Sequence, residues 1–234
     1  MKDIFGKALL DYCNKQYTED LITATSISSE DILPLPYLFR SYDDMPKLEQ
    51  KALAMCQGKI LDVGCGAGSH SLWLAENKFQ ITSIDISEGA IEVCKQRKIP
   101  NPQRKSLLEV RDKFDSILIL MNGTGLFETL DQIDYYLKHL KSCLETNGQI
   151  LIDSSDIKYM YEDEDGGFWI DTNANYYGEL DYFLSYKGEQ EIPMKWLYLD
   201  FNTLNTACQA NDLICELVVH GDLHDYLPKI SHKV

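Results

Sequence analysis

Asp62-Val63-Gly64-Cys65-Gly66-Ala67-Gly68 sets three glycines at i, i+2 and i+4 behind an acid, and Ser69-His70-Ser71 follows directly. Glycine has no Cβ, so it permits a tight turn and lets a ligand lie against the backbone. Where such a loop opens a helix, the free N–H groups and partial positive charge of the helix end receive an anion. Asp85 stands 17 residues after Gly68. A carboxylate can accept two O–H donors at once, which suits a ribose diol. The nicotinamide fingerprint needs GxGxxG or GxGxxA, and counting from Gly64 its third position is Ser69, so that match is incomplete.

The D-x-G-x-G-x-G pattern resembles motif I of the class I S-adenosylmethionine (SAM)-dependent methyltransferases, and Asp85 falls where that family has its ribose-binding acid. Motif and spacing carry the resemblance over roughly 55–155, and loosely to the end of the chain. It implies SAM as cofactor and methyl transfer as activity. Carried over by position, Asp62 reaches the methionine ammonium through water. Gly64, Gly66 and Gly68 let the backbone pass beneath methionine and ribose; Cys65 between them reads, on its own residue type, as a small space-filler rather than a nucleophile, since no base is paired with it. Asp85 holds the ribose and Ile86 packs on adenine. Asn122 and Gly123 lie beside the sulfonium and the methionine backbone. The family's acid that meets the adenine amino group has no counterpart in Gln103–Leu108, which leaves Ser106 or a backbone group for that contact.

Other candidates keep two readings each. His70 is on the first helical turn, for the cofactor carboxylate or for a capping role. In the segment before the core, Arg40 is a partner for that carboxylate and Tyr37 and Phe39 line its pocket, or all three pack a cap on the sheet. Trp169, Tyr176, Tyr177 and Trp196 follow the fifth strand, on the side where ligands enter open α/β sheets. They wall an acceptor or cover a hairpin. Asp153 is a general base or an ordinary strand-end acid. His220, Asp222, His224 and Asp225 have no convergent spacing and read as surface residues, so no metal is expected.

These residues need a scaffold, and the chain supplies strands and helices in alternation. Strands are predicted at 59–64, 79–86, weakly at 104–108, at 114–121 and at 149–155. Helices are predicted at 67–77, 87–98 with Ser87 as cap, and 130–147, ending at Asn147-Gly148. The expectation is a Rossmann-like α/β fold, a seven-stranded and mostly parallel sheet with helices on both faces. An antiparallel hairpin closes its C-terminal side. An N-terminal helical cap, 1–57, precedes the methyltransferase domain, 58–234. It contains helices at 2–16 and 46–57 and irregular chain at 31–46. An insertion at about 156–199 carries a hairpin turning near Lys187-Gly188, before a helix at 202–210 and one last strand at 213–220.

Composition narrows the function. The formal net charge is −15, and an acidic surface repels phosphate backbones, so nucleic acid is not expected as a partner. No apolar run is long enough to span a membrane. Seven scattered cysteines, none in a CxxC pair, exclude a disulfide framework and point to a reducing, cytoplasmic setting. Residues 153–191 hold eleven acids against two lysines, a solvated loop or a preference for a basic acceptor. The fourth-strand exit, Met121-Asn122-Gly123-Thr124, is not the [D/N]-P-P-[Y/F/W] motif that resembles amino-methylation of nucleic-acid bases or glutamine. A small-molecule acceptor is expected, with a protein side chain or a non-catalytic SAM-binding role as alternatives. No general base is evident, which fits an amine, a thiolate or an easily ionised acceptor.

Overall fold

The computed structural model describes residues 2–163, 165–168 and 175–233. The N-terminal segment runs through α1 (Ile4–Cys13), β1 (Leu21–Thr25), β2 (Ser28–Leu33), α2 (Leu35–Leu38) and α3 (Lys47–Met55). The alternating core follows as β3 (Lys59–Val63), α4 (Ser69–Glu76), β4 (Gln80–Asp85), α5 (Glu88–Gln96), β5 (Pro102–Arg104), β6 (Phe114–Ile119), α6 (Ile133–Ser142), β7 (Leu144–Ile152) and β8 (Ser154–Ser155). The chain continues with β9 (Glu179–Tyr186), β10 (Glu189–Gln190), β11 (Met194–Leu197), α7 (Phe201–Ala210), β12 (Leu213–His220) and β13 (Asp225–His232).

Seven strands form the main sheet in the order β12-β13-β7-β6-β3-β4-β5, and short β8 pairs the start of β13. Strands β3 to β7 are mutually parallel, and β13 runs antiparallel between β7 and β12. The apolar runs explain the layers. On β6, Ile117 and Ile119 face α6 and α7, while Leu118, and Leu120 just past the strand, face the layer of α3, α4 and α5. Strand order reverses between β3 and β6, and the crevice outside their carboxyl ends is where ligands bind in such sheets.

The chain on either side of the core builds a second sheet, β10-β9-β1-β2, with β11 also on β9. The N-terminal cap is therefore not only helical. Leu21–Thr25 is rich in β-branched residues, and its strand pairs with β9 of the insertion. Helix α1 packs under this sheet, with Ile4, Ala8 and Leu9 against Leu21, Leu184 and Tyr186.

Four boundaries differ from expectation. Helix α6 stops at Ser142, not at Asn147-Gly148, because Leu144 already pairs with Phe114 and the next four residues bulge before Gln149 resumes the ladder. The third strand is Pro102–Arg104 rather than 104–108, since Ser106 and Glu109 form a capping box that turns the chain. Segment 31–46 is more ordered than expected, with Pro34 as the N-cap of α2 and Pro46 as that of α3. A further strand, β13, follows β12. Its Pro228 sits where the register shifts between Leu217 and Val219, the kind of bulge at which a central strand tolerates proline.

Candidate active site

The glycine loop leaves β3 and enters α4. Gly64, Gly66 and Gly68 all have left-handed backbone, with φ of 69°, 52° and 79°. A Cβ at Gly68 would stand 2.1 Å from Ile99 Cδ1, so glycine is needed there for packing. At Gly66 a Cβ would meet only the Phe5 ring, at 3.6 Å, so that position is governed by its backbone angle. Asp85, at the end of β4, accepts the N–H of Gly66 through one oxygen and the N–H of Ser87 through the other, each at 2.9 Å. A carboxylate has about four lone-pair sites, so acceptor capacity remains beyond these two bonds. Burial pushes the Asp85 carboxyl up, against the pull of the two N–H donors. Ile86 beside it is 65% exposed, a bare apolar side chain at the mouth of the crevice.

Asp62 is buried at the end of β3 and accepts the Ser71 hydroxyl, which lies 2.6 Å from the Ser83 hydroxyl. Burial pushes its carboxyl up, and His70 and Ser71 partly offset this. Cys65 lies 3.7 Å from Cys94, Sγ to Sγ, and its thiol is pushed up by the contact with Cys94 and by burial, which makes it a poor nucleophile.

A buried charge cluster ties the cap to the loop. Arg40 donates to both oxygens of Glu49 and to the carbonyl of Tyr37, and its guanidinium lies 4.0 Å from the Tyr37 ring centre. His70 Nε2 is 2.8 Å from Glu49 Oε2. Burial pushes the Glu49 carboxyl up, but His70 and Arg40 outweigh it and leave the group below its ordinary value. Arg40 Nε is buried and has no hydrogen-bond partner among the described residues, an orphaned donor in the cluster that ties the cap to the loop.

The exit of β6 is unusual in its backbone. Met121 and Asn122 are successive non-glycine residues with φ of 68° and 58°. Gly123 follows, and its N–H donates to Asp153 Oδ1 at 2.8 Å. Burial pushes Asp153 up to about 6. Thr124 donates to the carbonyl of Leu197 at 3.0 Å, and the Trp196 ring fills the space where a Cβ of Gly125 would be. The second sheet is thus anchored on the β6 exit.

Comparison with known proteins agrees with this fold. A family model described as a methyltransferase domain matches residues 61–152. The crystal structure of a SAM-dependent methyltransferase from Bacteroides fragilis, solved in complex with S-adenosyl-L-homocysteine, superposes with a TM-score of 0.93 at 39% identity, over 100% of this chain and 96% of that one. The chain belongs to the SAM-dependent methyltransferase family. A ubiquinone biosynthesis O-methyltransferase of Pelagibacter ubique is 30% identical over 104 residues, 40% of each chain. This chain spans about half the length of the curated relatives it matches. The sugar N-methyltransferase KedS8 of a Streptoalloteichus species shares the fold at 12% identity, with a TM-score of 0.56 over 84% of this chain and 88% of that one.

Set in this methyltransferase fold, the sequence candidates separate. Asp62, the three glycines, Cys65, His70, Asp85, Ile86, Asn122 and Gly123 lie at the carboxyl ends of β3, β4 and β6, and Arg40 and Tyr37 reach the same place from the cap. Ser106 is engaged in its capping box with Glu109. Tyr176 donates to Asp200 at 2.7 Å and Tyr177 to Asp156 at 2.8 Å, so both hydroxyls are held by acids of their own neighbourhood. Trp169 lies outside the described residues. His224 stacks on Tyr159, and no group of three or more metal-ligating side chains converges among the described residues. No helix among them is long and apolar enough to cross a membrane. Sequence reasoning missed Phe5 and Glu49. For Glu49 a signal existed: it shares the inward face of α3 with Ala52 and Leu53, three and four positions on, where a charge is out of place.

Proposed function

We propose that this chain transfers the methyl group of SAM to a small-molecule acceptor. The observation that carries the reading is Asp85, whose carboxylate joins the glycine loop to the β4 exit with lone pairs to spare, in a chain 39% identical along its length to a methyltransferase solved with S-adenosylhomocysteine. SAM fits the residues present. Asp85 accepts the ribose hydroxyls, Ile86 backs the adenine, and the buried Asp62 faces the ammonium group. Arg40 Nε and His70 receive the carboxylate, which would satisfy the orphaned donor. SAM supplies a methyl group on a positively charged sulfur, already activated for transfer. The protein's work is then to align the acceptor and exclude water, and orientation of this kind supplies up to about 7–11 kcal/mol.

The cap, 1–57, and the insertion, about 156–199, act together as the acceptor-side cover. Their strands β1 and β9 share one sheet, and Trp196 and Thr124 join that sheet to the β6 exit. The net charge of −15 argues for a small acceptor over nucleic acid. Seven free thiols suit a reducing compartment such as the cytoplasm. Calorimetry with SAM, S-adenosylhomocysteine and NAD tests the cofactor, and a metabolite panel scored by S-adenosylhomocysteine release tests the acceptor. Binding of NAD without binding of SAM would refute the reading.

A further inference from the structure

Building on the methyl-transfer reading, we propose that Asp153 is a positioning residue for that reaction: its carboxylate holds the left-handed Met121–Asn122 turn in the conformation that borders the reacting centre. Residues with a Cβ avoid left-handed backbone, and two in succession persist only where the surroundings impose them. Here Asp153, which directly follows β7, anchors the main chain of the turn, while the side chains of Asn122 and Thr124 bond to Ser154 and to the Leu197 carbonyl. Asp153 accepts the Gly123 N–H through Oδ1 at 2.8 Å and the Thr124 N–H through its main-chain carbonyl at 3.3 Å. Its own N–H donates to Ile119 at 3.2 Å, so it is locked to β6 on the other side of the turn. Gly123 has no room for a side chain, because a Cβ would stand 2.9 Å from Ile119 Cγ2 and 3.0 Å from Ile152 Cγ1. Asp153 acts through this turn and touches no reacting atom.

The hydrogen bond is charge-assisted while the carboxylate is ionised, and protonation weakens it as an acceptor. Burial pushes Asp153 up to about 6, the N–H groups of Gly123 and Asn122 pull it down, Glu49 on α3 raises it and His70 on α4 lowers it. Tyr37 on α2 faces the same carboxylate. The turn should therefore loosen as the pH falls through about 6. Because other charged groups lie nearby, the informative quantity is wild type compared with Asp153→Asn.

The experiment uses the full chain, with S-adenosylhomocysteine as probe, and follows the Gly123 amide by 15N–1H NMR and the affinity by calorimetry. In the wild type the Gly123 resonance should titrate with a midpoint near 6, and affinity should fall severalfold between about pH 7.5 and pH 5. Asp153→Asn keeps an acceptor oxygen but not the charge, so both responses should flatten. Asp153→Ala should bind the probe about tenfold more weakly at neutral pH, with Asp153→Asn between it and the wild type. A Gly123 resonance that does not move in the wild type, or an Asn variant that keeps the wild-type pH profile, overturns the proposal. So does an Ala variant of undiminished affinity; if that variant does not fold, the Asn variant decides. A wild type that binds no S-adenosylhomocysteine refutes the methyl-transfer reading instead, and the Gly123 titration still decides whether Asp153 governs the turn.

Discussion

Glu49→Ala is the sharpest test of how the cap is joined to the glycine loop. Glu49 receives Arg40 on both oxygens and His70 on one, and the Arg40 and Glu49 side chains are only 3% and 6% exposed. Removing the carboxylate strands a guanidinium in the interior. Truncating one member of such a buried pair costs about 3–5 kcal/mol. For a chain of this size each kcal/mol moves the melting midpoint by about 2–4 °C, so the midpoint should fall by about 6–20 °C. The pH dependence has a definite sign. Glu49 sits below its ordinary value when folded, so its stabilisation is complete above the unfolded-state value of about 4.3 and fades as the pH falls through the folded one. The gap between wild type and variant should therefore be widest near neutrality and close in acid. Urea unfolding followed by circular dichroism at neutral and acid pH measures it. The double variant Arg40→Met/Glu49→Leu leaves neither charge stranded and should recover much of the loss. A cost under about 1 kcal/mol, or a double variant no better than the single one, would refute the argument.

Asp85→Ala should weaken SAM binding by about 1.5–3 kcal/mol, the scale of a hydrogen bond to a charged group, and an unchanged calorimetric dissociation constant in a folded variant would place the ribose elsewhere. Gly66→Val should abolish SAM binding while leaving the far-UV spectrum near native, because a β-branched residue is strained at φ 52°; wild-type affinity would show that the loop does not cradle the cofactor. Gly68→Ala should cost about 1–3 kcal/mol in thermal unfolding, since its Cβ would crowd Ile99 Cδ1 and Cys94 Sγ and a side chain is strained at φ 79°; an unaltered melt would mean that both are freely relieved.

The central sheet was legible because its signals are local. Strands β3, β4, β6 and the second half of β7 carry apolar runs, and the glycine loop and Asp85 fix the register of the first two, whereas β5, Pro-Gln-Arg, has no such run and was misplaced. What could not be read depends on pairing at a distance. Strand β1 becomes a strand by lying against β9, some 160 residues later, and no local pattern announces that partner. Strand β13 was hidden by Pro228, which is compatible with a central strand only because β12 bulges opposite it. Helix α6 was read too long because Leu144 continues its apolar spacing, and only the ladder to Phe114 reveals it as the first residue of β7. In the site, residues of the glycine motif could be named from spacing alone, whereas the Arg40–Glu49–His70 cluster needed α3 and α4 to be brought together in space.

The placement of buried charge links this architecture to its ligand. Asp62, Asp85 and Asp153 terminate or directly follow β3, β4 and β7, and burial pushes all three carboxyls up. A carboxyl whose folded-state pKa is raised favours the unfolded state once the pH passes the unfolded-state value, so each of these acids opposes folding at neutral pH. For Asp153, a rise to about 6 from an ordinary value near 3.8 corresponds to about 3 kcal/mol. Glu49 is the exception, because Arg40 and His70 are supplied by the chain itself. On the proposed reading, the complementary groups for Asp62 and Asp85 would be those that SAM brings, an ammonium and a pair of ribose hydroxyls. Binding then offsets a cost already built into the fold. It follows that SAM should raise the melting midpoint of the wild type more than that of Asp85→Asn, whose neutral amide carries no such cost and has less to gain.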